Sequence, residues 1–183
     1  MDRQKIEEGV RLILEGIGED PKREGLADTP YRISSMCEEI FGGYTDDAKV
    51  HLQKTFASKT SDIVIEKDIP FYSVCEHHLL PFFGTVSIGY VPDGRVVGLS
   101  KLARTVETYA KRAQIQEQMT SEITEAICKY LSPKGVIVAV SAEHLCMSMR
   151  GVRKPGTKTF TYRAEGCFLD NDRLKDEFFR LIG

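Results

Sequence analysis

The apolar residues of this chain change their period at Asp62. Upstream they recur as on one face of a helix; downstream they alternate as in a half-buried strand. Ile6, Val10, Ile13, Leu14 and Ile17 predict a helix over 4–17, stopped by Gly18. Asp28-Thr29-Pro30 predicts a second helix start, a capping residue with Pro in the first turn. Ile33, Met36, Cys37, Ile40 and Phe41 form its apolar face, and Gly42-Gly43 ends it. Residues 44–61 read as loop with a short helical piece.

Beyond the switch, Ile63-Val64-Ile65 and Ile69-Pro70-Phe71-Tyr72 read as strand, with Pro70 marking a bulge or an edge. A strand over 83–91, a turn at Pro92-Asp93-Gly94 and a returning strand over 95–98 predict a hairpin. Ser100 is placed to cap a helix over 101–112, and a second amphipathic helix follows over 116–131. Val136–Val140 has the composition of a buried strand and reads on as strand to Cys146. A basic loop, 150–156, precedes a strand over 157–165. Asn171 can cap a last helix with Leu174, Phe178 and Leu181 inward. Helices first, then hairpin strands, two helices, two strands and a helix give an α+β class with a largely antiparallel sheet, not repeated βαβ units.

At 183 residues the expectation is a single domain over 1–183, with a helical part over 1–60 and a sheet-bearing part over 61–183. A formal charge of -2 argues against a basic nucleic-acid binder, so no nucleic-acid partner is expected. No apolar run nears the ~18–20 residues a membrane span needs, so no membrane partner is expected either. The polar start, Met1-Asp2-Arg3-Gln4-Lys5, does not read as a signal peptide, and a cytoplasmic location is expected. Five cysteines, an odd number, argue against a disulfide framework and for buried, catalytic or metal-bound thiols.

Three of the four histidines stand within three positions of a cysteine. Cys75 and His78 are three apart, a spacing that lets one tight turn aim both at one ion. His144 and Cys146 are two apart and would leave the same face of a strand. Thiolate and imidazole are ligands that Zn²⁺ prefers. From spacing alone two arrangements stay open. One is a closed structural site of Cys75, His78, His144 and Cys146. The other is a three-ligand catalytic site with a position left for water and with His77 as an acid or base. Cys128 and Cys37 read as core, and His51 as a surface histidine.

Several separated motifs together resemble one family. They are Cys75-Glu76-His77-His78, Gly98-Leu99-Ser100-Lys101-Leu102-Ala103-Arg104, Gln114-Ile115-Gln116-Glu117, and the run from Glu143 to Arg153 around His144-Leu145-Cys146. Gly16-Ile17-Gly18-Glu19-Asp20-Pro21 and Asp28-Thr29-Pro30-Tyr31-Arg32 match as well. The chain resembles GTP cyclohydrolase I of the zinc-dependent type over about residues 5–180. The resemblance implies a tunnelling fold (T-fold), conversion of GTP and water to 7,8-dihydroneopterin triphosphate and formate, and entry to folate-type pterins. It implies Zn²⁺ on Cys75, His78 and Cys146, with water activated there to attack guanine C8. His77, His144 and Ser100 become catalytic, His144 protonating guanine N7 and Ser100 lying near the ribose, where its hydroxyl takes part in the later ring rearrangement. Glu117, with Gln116 beside it, faces the guanine. Lys101, Arg104 and Arg150 contact the phosphates, and Arg32 reaches in from a neighbouring subunit of a toroidal homodecamer, a dimer of pentamers. Ala113, Gln118 and Ser35 depart from residues common in that family.

Two other functions fit parts of the pattern. One is a zinc-stabilised oligomer that binds a purine or pterin without turning it over, which leaves His77 and Glu117 without a purpose. The other is a different T-fold enzyme acting on a related ring. A zinc nucleoside deaminase is disfavoured, since no Pro-Cys-x-x-Cys follows a His-x-Glu.

Overall fold

The computed structural model describes residues 1–183, which divide into two compact units, Met1–Gly42 and Gly43–Gly183. The first unit is a helix pair, α1 (Arg3–Gly16) and α2 (Thr29–Ile40). Asp2 caps α1 by accepting the Lys5 amide at 3.1 Å. Asp28 precedes α2 but makes no capping bond; its carboxylate pairs with Arg32 instead. Val10 and Leu14 are buried, whereas Ile13 and Ile17 of the same apolar stripe stay exposed.

The second unit holds a five-stranded sheet in the order β5-β2-β3-β6-β7. Its strands are β2 (Val64–Cys75), β3 (Pro81–Val91), β5 (Ala113–Gln114), β6 (Gly135–His144) and β7 (Lys158–Gly166). Every pairing is antiparallel except the short β2–β5 contact. The remaining elements are α3 (Ala48–Leu52), β1 (Thr55–Ala57), β4 (Arg95–Val97), α4 (Leu99–Ala110), α5 (Gln116–Leu131), a four-residue helix α6 (Leu145–Ser148) and α7 (Asp172–Ile182).

One face of the sheet is covered by α4 and α5 and part of the other by α7, which explains the unbroken apolar run in β6. Val136, Val138, Val140 and Ala142 pack with Val86, Ile88 and Tyr90 of β3 beneath Leu102, Val106, Met119, Ile123 and Ile127 of α4 and α5. Ile137 and Ala139 point the other way, against Phe178 of α7. Gly89 makes room for that ring: a Cβ there would sit 2.7 Å from Phe178 Cδ2.

The structure corrects several expectations. The segment 95–97 does not return along β3; it pairs with β1, a strand the sequence reading misses. The irregularity in β2 falls at 66–69, where Asp68 takes φ +58°, and not at Pro70. Pro70 tolerates its position because only Val74 and Cys75 of β2 pair with β5, leaving that edge open at Pro70. The helix expected over 101–112 begins at Leu99 with Gly98 at its cap, so Ser100 lies in the first turn. Strand β6 ends at His144, and Cys146 sits on a helical turn. Leu181 is exposed, and His51 is mostly buried, against Asp46.

Candidate metal centre

Strands β2 and β6 both run antiparallel to β3, so they end at the same edge of the sheet. One strand separates them, a spacing of about 9–10 Å. Each then turns back over the start of β3. After β2 the chain closes a tight turn: the Cys75 amide bonds Leu80 O at 2.8 Å, and the Leu79 amide bonds Cys75 O at 2.8 Å. Leu79 takes φ +52° to make it. After β6 the helical turn of α6 carries Cys146 toward the same point.

The outcome is a cluster of three donors. One ligand atom each from Cys75, His78 and Cys146 lies within 4.8 Å of the others, and Cys75 Sγ stands 3.9 Å from His78 Nδ1. Zinc bonds of about 2.0–2.3 Å in tetrahedral array would set such donors roughly 3.5 Å apart, so small side-chain movements suffice. Two sulfurs and one imidazole are a soft donor set suited to zinc. Burial, and then the neighbouring Cys75 sulfur, push the Cys146 thiol up, while Arg150 opposes this. Each ligand is thus supplied by one of two chain reversals at one sheet edge, and the three residues fit a divalent zinc ion.

His144 stands beside this cluster and is not one of the three donors. Its ring stacks flat on Phe82, its ladder partner on β3, with centroids 4.6 Å apart and planes within 2°. Its Nε2 lies 2.8 Å from Gln116 Oε1. Burial holds its pKa below the usual imidazole value, partly opposed by the Glu117 carboxylate. His77, by contrast, has a side chain 62 % exposed, with its Nε2 3.7 Å from Glu76 Oε1.

The other expected residues fall into groups. Glu117 is exposed in the first turn of α5. Ser100, Lys101 and Arg104 occupy the first two turns of α4, where free backbone amides and the helix dipole favour anions. Arg150 follows α6 and acts electrostatically on Cys146. Arg32 lies on α2 in the helical unit, exposed and 3.5 Å from Asp28. Gln116, expected beside the guanine, has its side chain inside the fold, 1 % exposed.

Two features escape a reading of the sequence, and a third carried a signal there. The Phe82–His144 stack depends on register, which no local pattern reports. Glu143 clips the basic loop: its Oε1 accepts from the Ser148 hydroxyl at 2.6 Å and from the Gly156 amide at 3.1 Å. The burial of Gln116 had a signal, since it shares a helical face with Met119, Ile123 and Ile127.

Comparison with known proteins agrees along the full chain. Residues 6–183 match the family model described as GTP cyclohydrolase I. The chain is 58% identical over 182 residues to the GTP cyclohydrolase 1 of Clostridium perfringens, covering 100% of this chain and 98% of that one. It is 57% identical over 183 residues to that of Finegoldia magna and 54% identical over 183 residues to that of Streptococcus pneumoniae, in both cases across 100% of each chain. A solved structure of an archaeosine synthase QueF-Like in the apo form covers 59% of this chain at TM-score 0.48 and 22% identity, a likeness too slight to bear on the fold.

Proposed function

The chain belongs to the GTP cyclohydrolase I family, and from that premise we propose that it converts GTP and water to 7,8-dihydroneopterin 3'-triphosphate and formate at a zinc ion held by Cys75, His78 and Cys146. The observation that carries this reading is a set of three donors, not four, with His144 alongside and bonded elsewhere. A structural zinc site is closed by four ligands, whereas a catalytic one keeps a position open.

Zinc bound there supplies a Lewis acid and lowers the pKa of water toward ~7. The protein's own residues supply proton movement and recognition. Guanine C8 accepts water more readily once N7 is protonated, and His144 is assigned that proton. His77, which is exposed, is assigned the proton transfers that follow to the opened ring or the departing formyl group. Glu117 can accept hydrogen bonds from guanine N1–H and the 2-amino group together. Lys101 and Arg104, with the amides that open α4, suit the triphosphate, with Arg150 and the Arg32 of a neighbouring subunit as further cations and Ser100 assigned to the ribose and the later ring rearrangement.

The remaining parts of the reading follow from the family. Self-association to a toroidal homodecamer, a dimer of pentamers, is supported by the open sheet edge at β7 and by exposed aromatic residues Tyr72, Phe160 and Tyr162. No helix is long and apolar enough to cross a membrane. A cytoplasmic location fits five free thiols. The product would enter tetrahydrofolate biosynthesis and one-carbon metabolism.

The test is direct. Incubate the zinc-loaded protein with GTP, oxidise the product, and measure neopterin fluorescence and released formate. Both are expected in equal amounts. Neither signal, from a folded protein with zinc bound, would overturn the reading.

A further inference from the structure

Gln116 is the most constrained polar side chain near the centre, and its hydrogen bonds have a direction. Its amide nitrogen lies 3.1 Å from each of three groups: Val140 O, Thr159 O and Thr161 Oγ1. Two of these are backbone carbonyls, which only accept. The amide nitrogen therefore belongs on that side, and the amide oxygen belongs toward His144. An amide oxygen also only accepts. At 2.8 Å, His144 Nε2 must carry a hydrogen and donate it.

The chain of bonds continues behind Gln116 in the same sense. Thr120 donates to Gln116 O at 2.8 Å, so its oxygen accepts from Thr161 at 2.7 Å, and Thr161 Oγ1 shares the two Gln116 amide hydrogens with the two carbonyls. The backbone carbonyls at one end fix every donor up to the imidazole at the other. Reversing the amide would point its N–H₂ at the ring and its oxygen at two carbonyl oxygens, leaving buried acceptors without hydrogens.

We propose that Gln116 is a positioning residue that holds His144 in the tautomer with hydrogen on Nε2, leaving Nδ1 as the nitrogen that carries protons in the reaction. Phe82 fixes the plane of the ring and Gln116 fixes its rotation within that plane. In that tautomer Nδ1 is the ring nitrogen free for the acid–base role assigned to His144, and the bond to Gln116 does not compete with it. This rests on the reading of His144 as an acid–base group. The tautomer itself does not.

Two readouts test it on the zinc-loaded full chain. With only four histidines, nitrogen NMR of the histidine-labelled protein resolves each tautomer. The signal pair that disappears in His144→Ala is expected to show a protonated Nε2 and a bare Nδ1 in the wild type. In Gln116→Met that preference is expected to be lost. The second readout is a double-mutant cycle on kcat. Gln116→Met is expected to lower kcat about 10–100-fold, the range for partners that orient a functional histidine, with zinc content and KM for GTP unchanged. In a His144→Ala background the same substitution is expected to change kcat less than about twofold. Should Gln116→Met fail to fold, Thr161→Val breaks the chain one bond further back and is expected to show the same non-additivity at smaller amplitude.

A hydrogen on Nδ1 in the wild type would overturn the proposal, as would equal losses of kcat in the two backgrounds. A fully active His144→Ala would overturn the prior reading of His144, and does so without touching the tautomer measurement.

Discussion

Phe82 lies flat against His144, with ring planes 2° apart and centroids at 4.6 Å. The two residues face each other across the β3–β6 ladder, so the sheet itself sets the orientation of the imidazole. Phe82 is fully buried. Phe82→Leu keeps most of the volume but removes the flat surface. It is expected to cost about 1–2 kcal/mol, which lowers Tm by roughly 3–6 °C in a chain of this length. The kcat is expected to fall severalfold while KM for GTP holds. Thermal melting and steady-state kinetics on one preparation measure both.

The two histidines are expected to fail at different steps. His144 is half-buried beside the candidate metal donors; His77 is exposed. His144→Ala is expected to block ring opening, with no formylated opened intermediate. His77→Ala is expected to accumulate that intermediate. Each lowers the overall rate by about 10²–10⁴. Following the intermediate and the final product by chromatography checks the assignment, and identical profiles from both variants would contradict it.

A third expectation concerns the face of the sheet away from the metal centre. Gly89→Ala would put a methyl 2.7 Å from the Phe178 ring. Sheet and α7 must separate, at a cost of about 1–3 kcal/mol. A drop in Tm with unchanged zinc content is the expected result.

Asp46 gives a pH-dependent prediction. Burial raises its carboxyl, but hydrogen bonds from Thr108 and His51 outweigh this and hold its pKa below the usual value. A depressed folded-state pKa adds stability above the unfolded value of about 3.9, and that stability is lost as pH falls through the lower folded value. Asp46→Asn is therefore expected to melt lower than wild type near neutral pH, with the gap closing below about pH 4. A gap that widens in acid would contradict the bonding described.

Much of the fold was legible because it rests on local periodicity. Helix α5 begins and ends at the expected residues, 116 and 131, and Asn171 caps α7 by accepting the Leu174 amide. What was not legible is non-local. Strand β4 pairs with β1 across some 40 residues of chain, a partnership that no turn signal encodes. The resemblance singled out Cys75, His78 and Cys146, and these three could be nominated as metal donors from their residue types and spacing. The status of His144 could not, because strand or helix at Cys146 is decided by where the β3–β6 ladder stops. Gln116 shows the opposite case: its motif suggested the substrate, while its helical face already carried the signal for burial.

Zinc titration of the metal-free protein ties activity to the metal centre. Formate release from GTP is expected to rise linearly with added zinc and to break at one ion per chain. Cys146→Ala is expected to bind no zinc at that concentration and to lose more than about a hundredfold in rate, beyond what the loss of an outer partner costs. Full activity without zinc, or in Cys146→Ala, would contradict the account.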